Sequence, residues 1–278
     1  MSRPANWLSE VTSRPMADSW AQLQGEAVAL VAAAAEQGVT LRVVGSAGIR
    51  LHCPAPGPLM DRLGRAAKDI DFIVPQRHRK GMRKLLESRG YVVDRDLLIA
   101  MEGTRYSFEH PEHGTEIDVF VEKLNFCHTI GLGERLTMHP VTIPIEELLL
   151  QKLQIIEMTT TDVMDATVLL ATHETSGPGE TAPAAAEVID TGLIARLLAR
   201  EWGFHHTVIR NLERLHPAGT AARPVDVGQA GDDQARRGAQ RLRDAIDAEP
   251  KTLAWRMRDK VGEHKQWWQD VDEREATY

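Results

Sequence analysis

The stretch that most constrains this chain is Lys68-Asp69-Ile70-Asp71-Phe72-Ile73-Val74, a short apolar run carrying two carboxylates one residue apart. Its β-branched residues and the proline that ends it, Pro75, predict a buried strand. Side chains at i and i+2 of a strand share a face, so Asp69 and Asp71 point the same way, about 6.5 Å apart along the chain. Two like charges on a core strand repel one another and lose hydration, a cost that a shared cation offsets. A strand end with two solvated aspartates is the plainer reading of the same residues.

Two further stretches bear on the choice. Upstream, Thr40-Leu41-Arg42-Val43-Val44 reads as a strand running into Gly45-Ser46, with a helix able to begin at Ala47. A strand, a tight Gly-Ser turn and a helix N-terminus make an anion site, since free N–H groups and the helix dipole favour phosphate; a simple N-cap serine is the alternative. Downstream, Thr115 to Val121 forms another strand, with Ile117, Val119 and Val121 on one face and Glu116, Asp118 and Phe120 on the other. Placed beside the first strand, Asp118 completes a cluster of three carboxylates. Such a cluster suits Mg²⁺, with Mn²⁺ as a substitute.

In this order, Gly45-Ser46, Asp69-x-Asp71 and a later strand Asp118 resemble the signature of the polymerase-β-type nucleotidyltransferase superfamily. The resemblance extends into Ile143 to Leu153, a predicted helix carrying Lys152, and a following helix with Asp162 and Asp165. That region is similar to bacterial toxin and abortive-infection (AbiEii-type) nucleotidyltransferases, and to small-molecule enzymes that modify antibiotics. It covers roughly residues 40–172. The toxin-type members carry Arg-x-Ser/Thr-x before the first aspartate; Arg65 fits this pattern and Ala67 replaces the hydroxyl residue.

The resemblance implies a mixed α/β (α+β) sheet and metal-dependent transfer of an NMP from an NTP to an acceptor hydroxyl, with release of pyrophosphate. It assigns Asp69, Asp71 and Asp118 to catalysis and Mg²⁺ binding, Lys152 to catalysis, and Gly45, Ser46 and Arg65 to the triphosphate. Asp118 would join a second metal site and help activate the acceptor, and Lys152 would neutralise charge on departing pyrophosphate. The acceptor is RNA in a toxin-like enzyme and a small molecule in a resistance-like one. The alternative is a non-catalytic module of the same fold, or one half of a two-component system.

The rest of the chain sets the frame. Its 278 residues and net charge of −7 provide for real cores and give no global attraction to nucleic acid or anionic membrane. Two cysteines, Cys53 and Cys127, build no disulfide framework, so a reducing cytoplasm is expected. A helix capped near Asp18 or Ser19 runs to Gln37-Gly38, and another from Gln76 to Arg89, whose basic residues form either a solvated face or a phosphate site. Strands are expected at Tyr91–Val93 and Thr104–Glu109, an edge strand within Arg135–Thr142, and turn histidines at His110 and His113. The expected organisation is a catalytic region over 1–173, a linker over 174–186 and a helical C-terminal region over 187–278. That last region is read with a break at Val225–Asp233 and a final long helix from Leu253 to Trp268, able to cap the cleft or bind a protein partner.

Overall fold

The computed structural model describes residues 16–53, 63–64, 69–177, 180, 187–215 and 225–271. Arg65, the prolines after Cys53 and most of the Thr175–Pro183 stretch lie outside the described residues. The molecule is a mixed α+β protein. A five-stranded sheet is built from β1 (Arg42–Val44), β2 (Asp69–Val74), β3 (Val92–Val93), β4 (Arg105–Glu109) and β5 (Glu116–Val121), in spatial order β1-β2-β5-β4-β3. Only the central β2–β5 pair is parallel. Its register sets Asp71 opposite Asp118 and Asp69 opposite Glu116.

Strand alternation sorts the two faces. Ile70, Phe72, Val74, Ile117, Val119 and Val121 turn to one side. There they pack against α1 (Met16–Glu36) and the helix after β2, whose first turn is 3₁₀ (Gln76–His78) and whose body is α3 (Arg79–Ser88). Trp20, Ala27, Leu30, Val31 and Ala34 form the buried stripe of α1, a helical spacing that covers the sheet. The helix stops at Gly38, whose φ of +69° turns the chain into β1. On α3 the buried residues are Met82, Leu85 and Leu86, as the sequence predicts.

The other face carries Ile73 and Phe120, and on it lie the helices that complete the molecule. These are α2 (Gly45–His52), α5 (Ile145–Leu153), α6 (Thr160–Thr172), α7 (Thr191–Leu198), α8 (Trp202–Leu215) and α9 (Gly228–Ala248). Their apolar residues form one continuous cluster with this side of the sheet, from Val44 and Ile49 through Leu148 and Leu169 to Leu242 and Ile246. Two short strands, β8 (Glu174–Thr175) and β9 (Val188–Ile189), pair in parallel beside α9. Among the described residues, no helix is long and apolar enough to cross a membrane.

Two short elements add to the expected ones, and two expectations are corrected. Arg95–Ala100 is a short helix, α4, capped by Asp94, which accepts bonds from the N–H groups of Asp96 and Leu97. A hairpin, β6 (Lys123–Asn125) and β7 (Thr129–Gly131), follows β5. Arg135–Thr142 is not an edge strand: Gly133–Thr137 is 3₁₀ helix, and only the end of the segment meets β1, through Val43 N–H to Val141 O and Ile143 N–H to Val43 O. The long C-terminal helix is α9, so the expected break at Val225–Asp233 ends by Gly228. Among the described residues, those from Leu253 to Val271 form a short helix, α10 (Leu253–Asp259), a 3₁₀ turn (Gly262–His264) and an irregular strap.

Candidate active site

The site sits on the first half of the β2–β5 pair, where Asp71 lies opposite Val44 and so beside the turn that follows β1. Asp69 and Asp71 alternate onto the same face of β2, and the in-register Asp118 joins them from β5. One carboxylate oxygen from each of the three lies within 4.8 Å of the others. The cluster expected from sequence is therefore assembled. The Asp71 carboxyl is held well above the usual carboxylate range, first by burial and then by the charges of Asp69 and Asp118. Lys152 and Arg105 offset part of that push.

Gly45 closes the site from β1. Its φ is +64°, and a Cβ there would meet Oδ2 of Asp71 at 2.2 Å. Only glycine permits both the left-handed backbone and that approach. Its N–H donates to Gln151 Oε1 at 3.0 Å, so α5 anchors the turn. Ser46 is buried at the start of α2. Gln151 was not visible as a site residue in the sequence, although it precedes Lys152 directly and shares its helix end.

Arg105 is the second residue that sequence reasoning missed. Its Nη2 lies 2.9 Å from Oδ2 of Asp118, both side chains buried, and its guanidinium stands 5.2 Å from the Phe120 ring. Oδ1 of Asp118 is buried and has no hydrogen-bond partner among the described residues. Strand alternation puts Arg105 and Ser107 on one face of β4, and the antiparallel β4–β5 register, which the sequence does not state, makes that face Asp118's as well. An orphaned buried carboxylate oxygen beside two more carboxylates is a donor set of hard oxygens, and it fits Mg²⁺.

Lys152 lies deeper than the sequence suggests. All nine residues of α5 are buried, so the lysine does not reach solvent along an apolar stripe. Its Nζ stands 3.3 Å from Asp162 Oδ1 and 3.1 Å from Asp165 Oδ2. Asp162 also closes a capping box with Thr159 at the start of α6. Asp162 therefore both holds the lysine and caps its own helix.

A cavity of about 450 Å³ opens beside Asp71. Gly45, Gln151 and Lys152 lie at its polar end; Phe120, Phe126, Ile155 and Ile156 supply apolar wall. Trp268 to Val271 also line it, held in place by the Gln269 N–H bond to Cys127 O at 2.9 Å. The basic residues of the helix after β2 do not line this cavity. His110 and His113 stack on each other at the β4–β5 turn, and His128 stacks on Phe204 while its Nε2 meets Thr207 Oγ1.

No protein-family model matches the chain, and no curated protein matches it. Among solved structures, the chain is similar to an antigenic nucleotidyltransferase-like protein from Paracoccidioides brasiliensis, with a TM-score of 0.41 and 13% identity over 84% of this chain and 95% of that one.

Proposed function

We propose that this chain is a metal-dependent nucleotidyltransferase that moves an NMP from an NTP to an acceptor hydroxyl with release of pyrophosphate. The observation that carries the reading is the convergence of Asp69, Asp71 and Asp118 beside the Gly45 turn, with one buried oxygen of Asp118 lacking a hydrogen-bond partner among the described residues. In this reading the three carboxylates would hold Mg²⁺, which supplies charge neutralisation at the triphosphate and lowers the pKa of an acceptor hydroxyl. The chain's own residues do the positioning. The turn at Gly45 and Ser46 receives phosphate oxygens, and Arg65, the remaining member of the phosphate set, belongs to the same proposal by resemblance. Arg105, 2.9 Å from Oδ2 of Asp118, fixes the rotamer of that carboxylate. Lys152, oriented by Asp162 and Asp165, puts positive charge at the polar end of the cavity, where charge grows on departing pyrophosphate. The apolar walls at Phe120, Phe126 and Ile155 suit a nucleobase, and the cavity volume falls within the range of small-ligand sites.

The acceptor in this proposal is RNA or a hydroxylated small molecule, and the location is the cytoplasm, in keeping with the two free buried cysteines. A protein partner would find an apolar stripe on the C-terminal part, where Leu253, Met257 and Val261 are exposed. The test is incubation with each α-labelled NTP, Mg²⁺, and separate RNA, protein and metabolite fractions. Label should enter one fraction and be lost in Asp69→Asn with Asp71→Asn. Binding of Mg²⁺-NTP with no transfer to any fraction would favour the non-catalytic module instead.

A further inference from the structure

A second cluster of titratable residues lies at the far end of α2, about 10 Å along the helix from Gly45. His52, the last residue of α2, is only 5% exposed. Its Nε2 lies 3.1 Å from the main-chain oxygen of Ile143 and close to Thr142 Oγ1. A carbonyl can only accept, so Nε2 carries the proton and Nδ1 of the neutral ring presents a lone pair. That Nδ1 is buried and has no hydrogen-bond partner among the described residues. It faces Oε1 of Glu187 at 3.3 Å.

A lone pair and a carboxylate oxygen at that distance repel unless a cation lies between them. A third donor stands alongside. The His139 ring lies 4.7 Å from that of His52, and one ligand atom from each of His52, His139 and Glu187 falls within 4.8 Å of the others. Glu187 is half-exposed, so an ion has a route in.

We propose that His52, Glu187 and His139 form a binding site for a borderline divalent ion of the Zn²⁺ class, separate from the carboxylate cluster at Asp71. Two imidazoles and one carboxylate favour Zn²⁺ over Mg²⁺, which prefers an all-oxygen set. The bond from His52 Nε2 to the Ile143 carbonyl is the outer contact that fixes a ligating imidazole in the right tautomer. His173 supports the carboxylate from the other side, with Nε2 3.5 Å from Oε2 of Glu187. His139 Nδ1 accepts from the N–H groups of Thr142 at 2.9 Å and Val141 at 3.3 Å and lies 2.7 Å from Thr142 Oγ1, so ligation by this ring gives up those bonds, and its loss should matter least of the three. The ion would tie the end of α2 and the segment before α5 to β9, which begins one residue after Glu187.

The test uses the full-length protein stripped with chelator and titrated with Zn²⁺ alone, with Asp69→Asn and Asp71→Asn present so that the other cluster cannot contribute. A single Zn²⁺ should bind and raise the melting temperature. Glu187→Gln, at a half-exposed position that leaves packing intact, should weaken binding by about 100-fold or more, the upper end of what disturbing a metal's surroundings costs. Co²⁺ in place of Zn²⁺ should give visible d–d bands that Glu187→Gln abolishes. Equal Zn²⁺ affinity in Glu187→Gln, no Zn²⁺ binding at all, or binding found only when Asp69 and Asp71 are intact would each overturn the proposal.

Discussion

A methyl group on Gly45 would fall 2.2 Å from Oδ2 of Asp71, so the turn after β1 and the carboxylate on β2 are shaped to one another. Gly45→Ala must move one of them. The substitution also forces alanine to a φ of +64°, a conformation that costs about 1–2 kcal/mol. Denaturant unfolding should show that loss. Nucleotidyl transfer should fall by roughly 10²-fold, the effect of misplacing a reacting group by about 1 Å. Wild-type transfer in a folded Gly45→Ala would show that Asp71 is not held by this contact for chemistry.

Asp71 sits where its charge is unwelcome without a cation. Its carboxyl is raised first by burial, then by Asp69 and Asp118. The folded state thus binds this proton more tightly than the unfolded chain does. The stability linked to it is complete below the ordinary carboxylate value and is lost as pH rises through the raised one. In chelator at neutral pH, Asp71→Asn should therefore melt higher than wild type. With Mg²⁺ and an NTP the order should reverse, because only wild type gains from binding. A variant that melts lower than wild type in chelator would mean that Asp71 is stabilised by protein contacts alone.

The β2 and β5 strands were legible from period-2 alternation and their aspartates, and the meeting of Asp118 with Asp71 was expected only on the condition that the two strands lie side by side, which their parallel pairing meets. The partners that hold the carboxylates were less legible. Arg105 lies on β4, and its pairing with Asp118 depends on antiparallel register across β5, a long-range fact that no local pattern states. The helix α9 was hidden for another reason. Its buried stripe is Ala235, Gly238, Ala239, Leu242, Ala245 and Ile246, mostly small residues that let it lie close to α6 and α7 but give a weak hydrophobic signal. Gly238 is within 3.3 Å of Leu170 at its would-be Cβ, so its glycine is a packing feature and not a break. The tryptophans that suggested a final helix do a different job: Trp267 packs its backbone against Gly203 and donates from Nε1 to Thr207 Oγ1, fastening the strap that lines the cavity.

Acid should weaken the helical side of the molecule first. Burial lowers His128 to about 4 and His205 to about 4. Each is neutral in the folded protein and titrates near 6.5 once unfolded. Depressed folded values mean that the stability they carry is present above about pH 6.5 and is lost as pH falls toward 4. For His128, which is nearly fully buried, the loss is on the order of a few kcal/mol. Unfolding free energy measured from pH 7 to pH 4.5 should drop across this window, and His128→Gln should flatten part of the drop. An unchanged slope in that variant would remove His128 from the account.

Lys152 is where stability and catalysis are hardest to separate. Its side chain is 10% exposed, and both its carboxylate partners are buried, Asp165 completely. In this geometry Lys152→Ala cannot leave stability untouched. Removing the cation strands two buried carboxylates, a change that costs about 3–5 kcal/mol when one partner of a buried pair is lost. A drop in activity of Lys152→Ala would then report partial unfolding as much as lost chemistry. The informative comparison keeps the charge balance. Lys152→Met combined with Asp165→Asn removes one charge of each sign and leaves Asp162 held by its capping box with Thr159. This pair should regain most of the stability that Lys152→Ala loses, as followed by thermal unfolding. Transfer should stay down by roughly 10²-fold, the cost of losing one donor aimed at developing charge. Lys152→Arg should recover only part, since a planar fork does not reproduce a point charge at Asp162 and Asp165 together. The lysine also lines the cavity beside Asp71, so its loss should show in kcat more than in the KM for NTP. Should the charge-balanced pair transfer nucleotide at the wild-type rate, Lys152 would be a strut between α5 and α6, and the charge at the polar end of the cavity would have to come from elsewhere.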